Sequence, residues 1–185
     1  LSVELTTLRC KQEVMVGNEL RNYSRAMDEG SLARVAGMAK GLTATILGAG
    51  PSLAEFAPLL RERRDKGFYA AALQTLPALE RLGLKPDLCL AIDFNDTMHK
   101  SLDNLADPSF AADIPFIYST KMDPAVVARY PGPRIPLWTQ GGIGTYALKD
   151  QELVLDAGGN VTVTLERLLG WAGAERFVFV GCDLA

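Results

Sequence analysis

Short apolar runs alternate with helical segments along most of this chain. Six runs have the length and composition of β-strands: residues 44–47, 69–73, 88–92, 116–118, 134–138 and 177–180. Between them, apolar side chains recur at helical spacing in residues 53–66, 75–82, 124–130 and 161–171. This alternation predicts an α/β fold with a doubly wound, mostly parallel sheet of Rossmann-like type.

The first 41 residues have a different pattern. Charged and apolar positions alternate with helical spacing from about residue 8 to residue 27, and Gly30 follows as a stop signal. We therefore divide the chain into a helical lead-in, residues 1–41, and a Rossmann-like nucleotide-binding domain, residues 42–185. Because the chain stops three residues after Gly181-Cys182, where a strand should pass into a functional loop, we expect it to be a fragment of a longer protein.

Charge and the distribution of apolar residues argue against binding to nucleic acid and against a membrane span. The 185 residues, 48% of them apolar, suffice for one packed domain. A net charge of -3 gives no basic surface for nucleic acid. No run of about 20 apolar residues and no leader segment is present, so we expect a cytoplasmic protein without a membrane span. Cys10, Cys89 and Cys182 are widely separated and odd in number, which favours free thiols over disulfides or zinc ligands.

The turn after the first predicted strand is the strongest candidate for a ligand site. It consists of Gly48, Ala49, Gly50, Pro51 and Ser52, and a helix is predicted directly after it. Glycines permit a tight turn, proline fits the first helical position, and serine adds a hydroxyl where free amides attract anions. The turn predicts a phosphate cradle, with a plain strand-to-helix turn as the alternative. Leu53 replaces the third glycine of the dinucleotide fingerprint, and Gly-Lys-Ser/Thr is absent, so NAD binding and P-loop chemistry are disfavoured.

Polar side chains follow two further predicted strands at their carboxyl ends, the edge where open α/β sheets bind ligands. Asp93 and Asn95 follow the third strand, and we name Asp93 as the candidate catalytic residue because it could bind ribose, a divalent cation or an acceptor's proton. Asp96 suits the same edge, with an Asx turn or helix cap as the alternative. Gln74 and Thr75 end the second strand, where contacts to a base or sugar would fall.

A second helix start also carries glycines and small polar side chains. Gly158, Gly159 and Asn160 precede the helix predicted at 161–171 and would contact the ligand from the other side of the crevice. Asn160 is equally suited to be an N-cap. Asp183 follows the last strand, and we expect it opposite Asp93 at a neighbouring strand end, where the two carboxylates could share Mg²⁺ with a nucleotide phosphate.

Three other features have simpler interpretations. His99, the single histidine, is a candidate base, but we expect it on a solvated helix or loop. Residues 141–145 predict a mobile loop because no clear helix follows them. The arginines at positions 61, 63 and 64 predict a charged helix end rather than a phosphate clamp.

Taken in order, several motifs resemble the MptE-like family. They are Ile46-Leu47-Gly48-Ala49-Gly50-Pro51-Ser52-Leu53, Lys85-Pro86-Asp87 followed by Ile92-Asp93, Gly158-Gly159-Asn160, and Val180-Gly181-Cys182-Asp183-Leu184-Ala185. That family includes the motility accessory factors, thought to transfer nonulosonic acids such as pseudaminic or legionaminic acid to flagellin. It also includes archaeal 6-hydroxymethyl-7,8-dihydropterin diphosphokinases. The resemblance extends from Thr43 to Ala185.

The first loop is also similar to that of bacterial sialyltransferases that use CMP-sialic acid. This similarity implies that the Gly-Pro-Ser loop and the second glycine-rich turn embrace the nucleotide, with Gln74 nearby. Those enzymes carry their catalytic histidine beyond the Gly-x-Asp strand, and this chain ends there. The resemblance therefore implies a general base beyond Ala185.

Together the resemblances imply a glycosyltransferase with a CMP-activated nonulosonic acid as donor and flagellin Ser/Thr hydroxyls as acceptors. Preorganised amides would stabilise the departing phosphate. One alternative is a Mg²⁺-dependent diphosphokinase that transfers pyrophosphate from ATP to a pterin alcohol, with the metal between Asp93 and Asp183. Another is a nucleotide-binding module without catalysis.

Overall fold

The computed structural model describes residues 3–148, 152–155 and 159–183. Within these residues, seven strands alternate with α-helices. The strands are β1 (Thr43–Leu47), β2 (Gly67–Ala72), β3 (Leu88–Ala91), β4 (Phe116–Ser119), β5 (Arg134–Thr139), β6 (Val154–Leu155) and β7 (Arg176–Val180). The helices are α1 (Val3–Glu29), α2 (Ser52–Glu62), α3 (Leu76–Arg81), α4 (His99–Asp103), α5 (Pro124–Arg129), α6 (Ile143–Ala147) and α7 (Val161–Trp171).

The strands form one sheet in the order β6-β5-β4-β3-β2-β1-β7, and every described pairing is parallel. The chain winds in one direction from β1 to β6 and then returns to place β7 on the other side of β1. This reversal is a topological switch point. Leu47 of β1 pairs with Val180 of β7, so the loops after these strands leave the sheet side by side.

Helices cover both faces of the sheet, as the predicted α/β fold requires. On one face, Leu47 and Ala71 belong to a core shared with α2, α3, α4 and α5. On the other, Ile46 and Ala70 pack beneath α7 and the short 3-10 helix Leu32–Val35. Successive side chains of a strand point to opposite faces, so a strand buried on both faces is apolar along its whole length. This explains why continuous apolar runs predicted strands β1 to β5 correctly.

The lead-in helix α1 packs beside β5. Its Ala26 is buried with Trp138 and Leu148. Near its end, Glu29 accepts hydrogen bonds from the Tyr118 hydroxyl at 2.7 Å and from Arg134 Nε at 2.6 Å. Although α1 has 27 residues, no helix of the described chain is both long and apolar enough to cross a membrane.

Three elements were not predicted from the sequence. Strand β6 has two residues, and helices α4 and α6 have five each, too few to establish a period. Helix α6 corrects the prediction that residues 141–145 form a mobile loop with no helix after it. Because Gly144 has no side chain, helix α6 can pack directly against the Trp138 ring, where a Cβ would come within 2.3 Å of the ring.

Candidate functional site

The loop after β1 lies directly against the loop after β7. The Gly48 amide donates to Val180 O at 2.8 Å, and the Gly50 amide donates to Gly181 O at 2.8 Å. A Cβ at Gly48 would lie 2.1 Å from Gly181 O, and Gly181 adopts a φ of +72°. The glycines are therefore required for contact between two backbone segments.

Asp183 occupies the N-terminus of α2. Its Oδ2 accepts from the Ser52 amide at 3.0 Å, and Ser52 Oγ accepts from the Gly181 amide at 2.9 Å. Hydrogen bonds from the Ser52 hydroxyl and amide lower the pKa of Asp183. The expectation of free amides is thus wrong for Gly48, Gly50 and Ser52, because each donates to a protein acceptor. A carboxylate already fills the position where an external anion would meet this helix start.

Helix α7 begins at the same edge on the opposite face of the sheet. Asn160 Oδ1 accepts from the amides of Thr162 at 2.9 Å and Val163 at 3.4 Å, so Asn160 is the N-cap. Burial raises the pKa of the Cys182 thiol in the loop after β7, and the Thr162 side chain of this helix start acts in the opposite direction. Gly159 and Asn160 are exposed there, whereas Gly158 lies outside the described residues.

A cavity of about 490 Å³, here called the cationic cavity, opens beside the loop after β1. Ala49 and Gln74 line it, together with Arg81 of α3 and Lys100 of α4. Among its described lining residues these two cations are the charged ones, and the others are apolar or neutral. Its volume lies within the range of small-molecule sites. Thr75 is buried and does not line this cavity.

A second cavity of about 540 Å³, here called the acidic cavity, lies between α1 and the loops after β3 and β4. Asn95, Asp96 and Asp123 line one side, and Arg21 of α1 lies on the other. Two carboxylates face one guanidinium among its described lining residues. Asp96 lines this cavity, and the next residue, Thr97, lines the cationic cavity. The two cavities are therefore adjacent.

Buried polar contacts fix α1 to this edge. The Asn18 side-chain amide donates to Phe94 O at 3.3 Å and Lys121 O at 3.0 Å. One turn later, the Asn22 amide donates to the backbone oxygens of residues 120 and 122 at 2.9 and 2.8 Å. Both side chains are at most 4% exposed. This role was not predicted from the sequence, although polar residues at positions 18, 19 and 22 of one helix were an available signal.

Lys121 ties the loop after β4 to the end of β5 at the same edge. Its Nζ donates to the backbone oxygens of Thr139, at 3.3 Å, and of Gln140. Burial lowers the pKa of Lys121, and the charge of Glu19 acts in the opposite direction. Glu19 is completely buried and accepts from the Thr120 hydroxyl at 3.1 Å. Helix α1 is therefore a structural part of the carboxyl edge.

The sequence matches the family profile described as 6-hydroxymethylpterin diphosphokinase MptE-like over residues 17–185. The chain belongs to the MptE-like family. Its fold is similar to that of the Maf glycosyltransferase from Magnetospirillum magneticum AMB-1, with a TM-score of 0.63 and 20% identity. The similarity covers 84% of this chain and 27% of that one, so the MptE-like chain spans about a quarter of its length. No curated protein matches.

In this MptE-like chain, Asp93 and Asp183 do not end neighbouring strands, and that prediction is wrong. Strands β2 and β1 lie between β3 and β7, which is three strand spacings, or roughly 14 Å. The apolar runs in the sequence did not indicate that β7 pairs with β1 on the side opposite β2. No group of three or more His, Cys, Asp or Glu side chains within the described residues could hold a metal. The residues present therefore do not fit a Mg²⁺ shared by these two carboxylates.

His99 belongs to a chain of polar contacts. Arg129 Nη1 lies 2.8 Å from His99 Nδ1, and because a guanidinium only donates, Nδ1 is the acceptor. His99 Nε2 lies 3.5 Å from Asp123 Oδ2, and Arg129 also pairs with Asp103 at 2.6 Å. Both ring nitrogens thus have partners, which disfavours a role as a free base.

The Lys85-Pro86-Asp87 motif of this MptE-like chain is structural. Asp87 accepts from the Tyr69 amide at 2.7 Å and from Arg64 at 2.7 Å. It precedes β3 and therefore lies at the amino edge, opposite both cavities. The motif fixes the start of β3 beside β2.

Proposed function

We propose that this chain is the nucleotide-binding part of a glycosyltransferase whose donor is a CMP-activated nonulosonic acid. The observation that carries the proposal is the cationic cavity at the carboxyl edge of the sheet, with Ala49 and Gln74 on its wall. It lies beside the β1–β7 switch point, where ligands of open α/β sheets bind. Membership of the MptE-like family, and a fold similar to a Maf glycosyltransferase, support this class.

In this proposal the nucleotide lies in the cationic cavity and the acceptor approaches through the acidic one. The acceptor is a Ser or Thr hydroxyl, with flagellin as the proposed protein. Its oxygen bonds to the anomeric carbon, the bond from that carbon to the phosphate oxygen breaks, and the electron pair leaves with CMP. The hydroxyl proton passes to a base. Asp93 is half-buried and lines neither cavity, whereas Asp96 is exposed at their boundary, which makes Asp96 the better placed carboxylate.

A diphosphokinase is the second candidate, because the family profile carries that description. The two cations of the first cavity also suit a polyphosphate. Transfer from ATP depends on Mg²⁺ in such reactions, and the strands that Asp93 and Asp183 follow are not neighbours in the sheet. The described residues therefore support the glycosyltransferase better.

Calorimetry and thermal shift with CMP, CDP, UDP, GDP and ATP, each with and without Mg²⁺, test both candidates. A ligand at 100 times its Kd stabilises the fold by about 2.7 kcal/mol, which thermal shift resolves. CMP binding without metal supports the glycosyltransferase, and ATP binding only with Mg²⁺ supports the diphosphokinase. Failure of all five nucleotides overturns both.

A matched pair of variants localises the site. Ala49→Asp places a carboxylate on the wall of the cationic cavity and should abolish nucleotide binding. Ala54→Asp adds the same group at an exposed position of α2 that does not line the cavity, and it should leave binding unchanged. Equal loss in the two variants would contradict the assignment of the cavity.

A further inference from the structure

We infer that Arg81 and Lys100 hold the phosphate of the bound nucleotide, and that the N-terminus of α2 does not. The inference rests on the proposed function for the identity of the nucleotide. The sequence-based expectation placed the phosphate at the loop after β1, whereas this inference places it at side chains of α3 and α4. It depends on two observations. Asp183 occupies the N-terminus of α2, and the charged residues that line the cationic cavity are Arg81 and Lys100.

The N-terminus of α2 already has an anion. Asp183 Oδ2 lies 3.0 Å from the Ser52 amide, and an ideal Cβ at Gly50 would be 2.3 Å from the same oxygen. The carboxylate therefore lies against the backbone of the glycine loop. A phosphate placed there would face a like charge at close range and would have to displace it. The next amides of the loop and of the first turn of α2, those of Leu53 and Ala54, donate to backbone carbonyls.

Arg81 and Lys100 are the two cations that line the cationic cavity. They project from the last residue of α3 and the second residue of α4, and both are exposed on the wall of the cationic cavity. Among the described residues, neither has an ion-pair partner. By contrast, Arg64, Arg129 and Arg134 each pair with a carboxylate. Two unpaired cations beside neutral donors form a binding site for an anion.

The neighbouring cavity gives the opposite electrostatic environment. Asp96 and Asp123 line it together with Arg21, so negative charge exceeds positive charge there. A phosphate would be repelled from that side and attracted to the other. The sign of the lining charge thus orients the ligand, with the phosphate toward Arg81 and Lys100 and the uncharged acceptor toward Asp96.

Binding of CMP and of inorganic pyrophosphate to the purified protein tests the inference. The variants are Arg81→Gln, Lys100→Gln, their combination, and Asp183→Asn. Arg63→Gln is the matched control, because Arg63 is exposed at the far end of α2 and lines neither cavity. Thermal unfolding of each variant checks that it remains folded.

We expect each single cavity variant to raise the Kd for both probes by about 5-fold, and the combination by about 25-fold. Binding to the wild-type protein should weaken with added salt, and the double variant should lose most of that dependence. Asp183→Asn and Arg63→Gln should leave both Kd values within about 2-fold, since neither group meets the phosphate.

The two probes separate this inference from the proposed function. CMP binding that is unaffected by the cavity variants but tightened by Asp183→Asn would move the phosphate to α2, overturning the inference and leaving the proposed function standing. Pyrophosphate binding that depends on Arg81 and Lys100, without binding of any nucleotide, would uphold the anion site and overturn the function. Failure of both probes to bind would overturn both.

Discussion

Adding a methyl group at Gly48 should strongly destabilise the fold, because the loops after β1 and β7 are in direct backbone contact. The Cβ of Gly48→Ala would lie 2.1 Å from the carbonyl oxygen of Gly181 and 2.7 Å from its carbonyl carbon. Both distances are about 1 Å inside normal contact. The obstacle is backbone, so no side-chain rotation relieves it. The ends of β1 and β7 must separate instead.

The expected loss follows from two contributions. Overpacking against a rigid neighbour costs about 1–3 kcal/mol. Separation of the loops also weakens the two hydrogen bonds between them, at about 1 kcal/mol each. We therefore expect Gly48→Ala to lower the free energy of unfolding by about 3–5 kcal/mol, a large part of the 5–15 kcal/mol typical of a domain.

Urea denaturation followed by circular dichroism measures this loss, with unchanged m-values as the condition for comparing midpoints. Gly41→Ala is the first control: Gly41 has a φ of +75° and nothing within 4 Å of an added Cβ, so it reports the backbone cost alone, about 1 kcal/mol. Gly17→Ala is the second, because its Cβ makes only an ordinary 3.5 Å contact within α1 and should stabilise by up to about 1 kcal/mol. A Gly48→Ala variant no less stable than Gly41→Ala would refute the reasoning.

Three further predictions follow from buried or hydrogen-bonded titratable groups. Burial raises the pKa of Cys89 to about 12 and also raises that of the half-buried Cys182, so DTNB at pH 8 should label Cys182 slowly and leave Cys89 unmodified in the native protein; rapid labelling of both would contradict this. Ser52 lowers the pKa of Asp183, so their contact should persist above the usual aspartate value near 4 and be lost as the pH falls through the lowered pKa. The amide resonance of Ser52 should titrate with a midpoint below that value, and one at or above it would be inconsistent. Lys121→Met removes a buried cation that donates to two backbone carbonyls, and urea denaturation should show a loss of roughly 3–5 kcal/mol; a loss under about 0.5 kcal/mol would count against a stabilising link between the loop after β4 and the end of β5.

The strands and the last helix could be predicted from sequence because the core imposes their pattern. Strands β1 to β5 are buried on both faces and are therefore apolar over most of their length, and each produced a visible run. Edge strand β7 also produced an apolar run, although its Val178 and Phe179 are exposed. Helix α7 begins at a capping asparagine and ends before Gly173, which has a φ of +101°, and its predicted bounds match the structure. Strand β6, with two residues, has no pattern of its own.

The arrangement of the candidate site depended on information that no local pattern contains. The order of strands is set by long-range packing, so the return of the chain to the far side of β1 was not predicted. Asp183 was consequently placed beside Asp93 and not at the start of α2. Arg81 and Lys100 belong to separate short helices, and only the fold brings them to one cavity.

The glycine loop illustrates how a motif can be located correctly while its chemistry is misjudged. Glycine permits a close approach, but the sequence does not say what approaches. At Gly48 and Gly50 the approaching group is another segment of the same chain, so their amides stabilise the protein rather than a ligand. That contact still shapes the site, since it holds Ala49 at the wall of the cationic cavity. The loop therefore positions the wall of the proposed binding cavity, whose charge comes from α3 and α4.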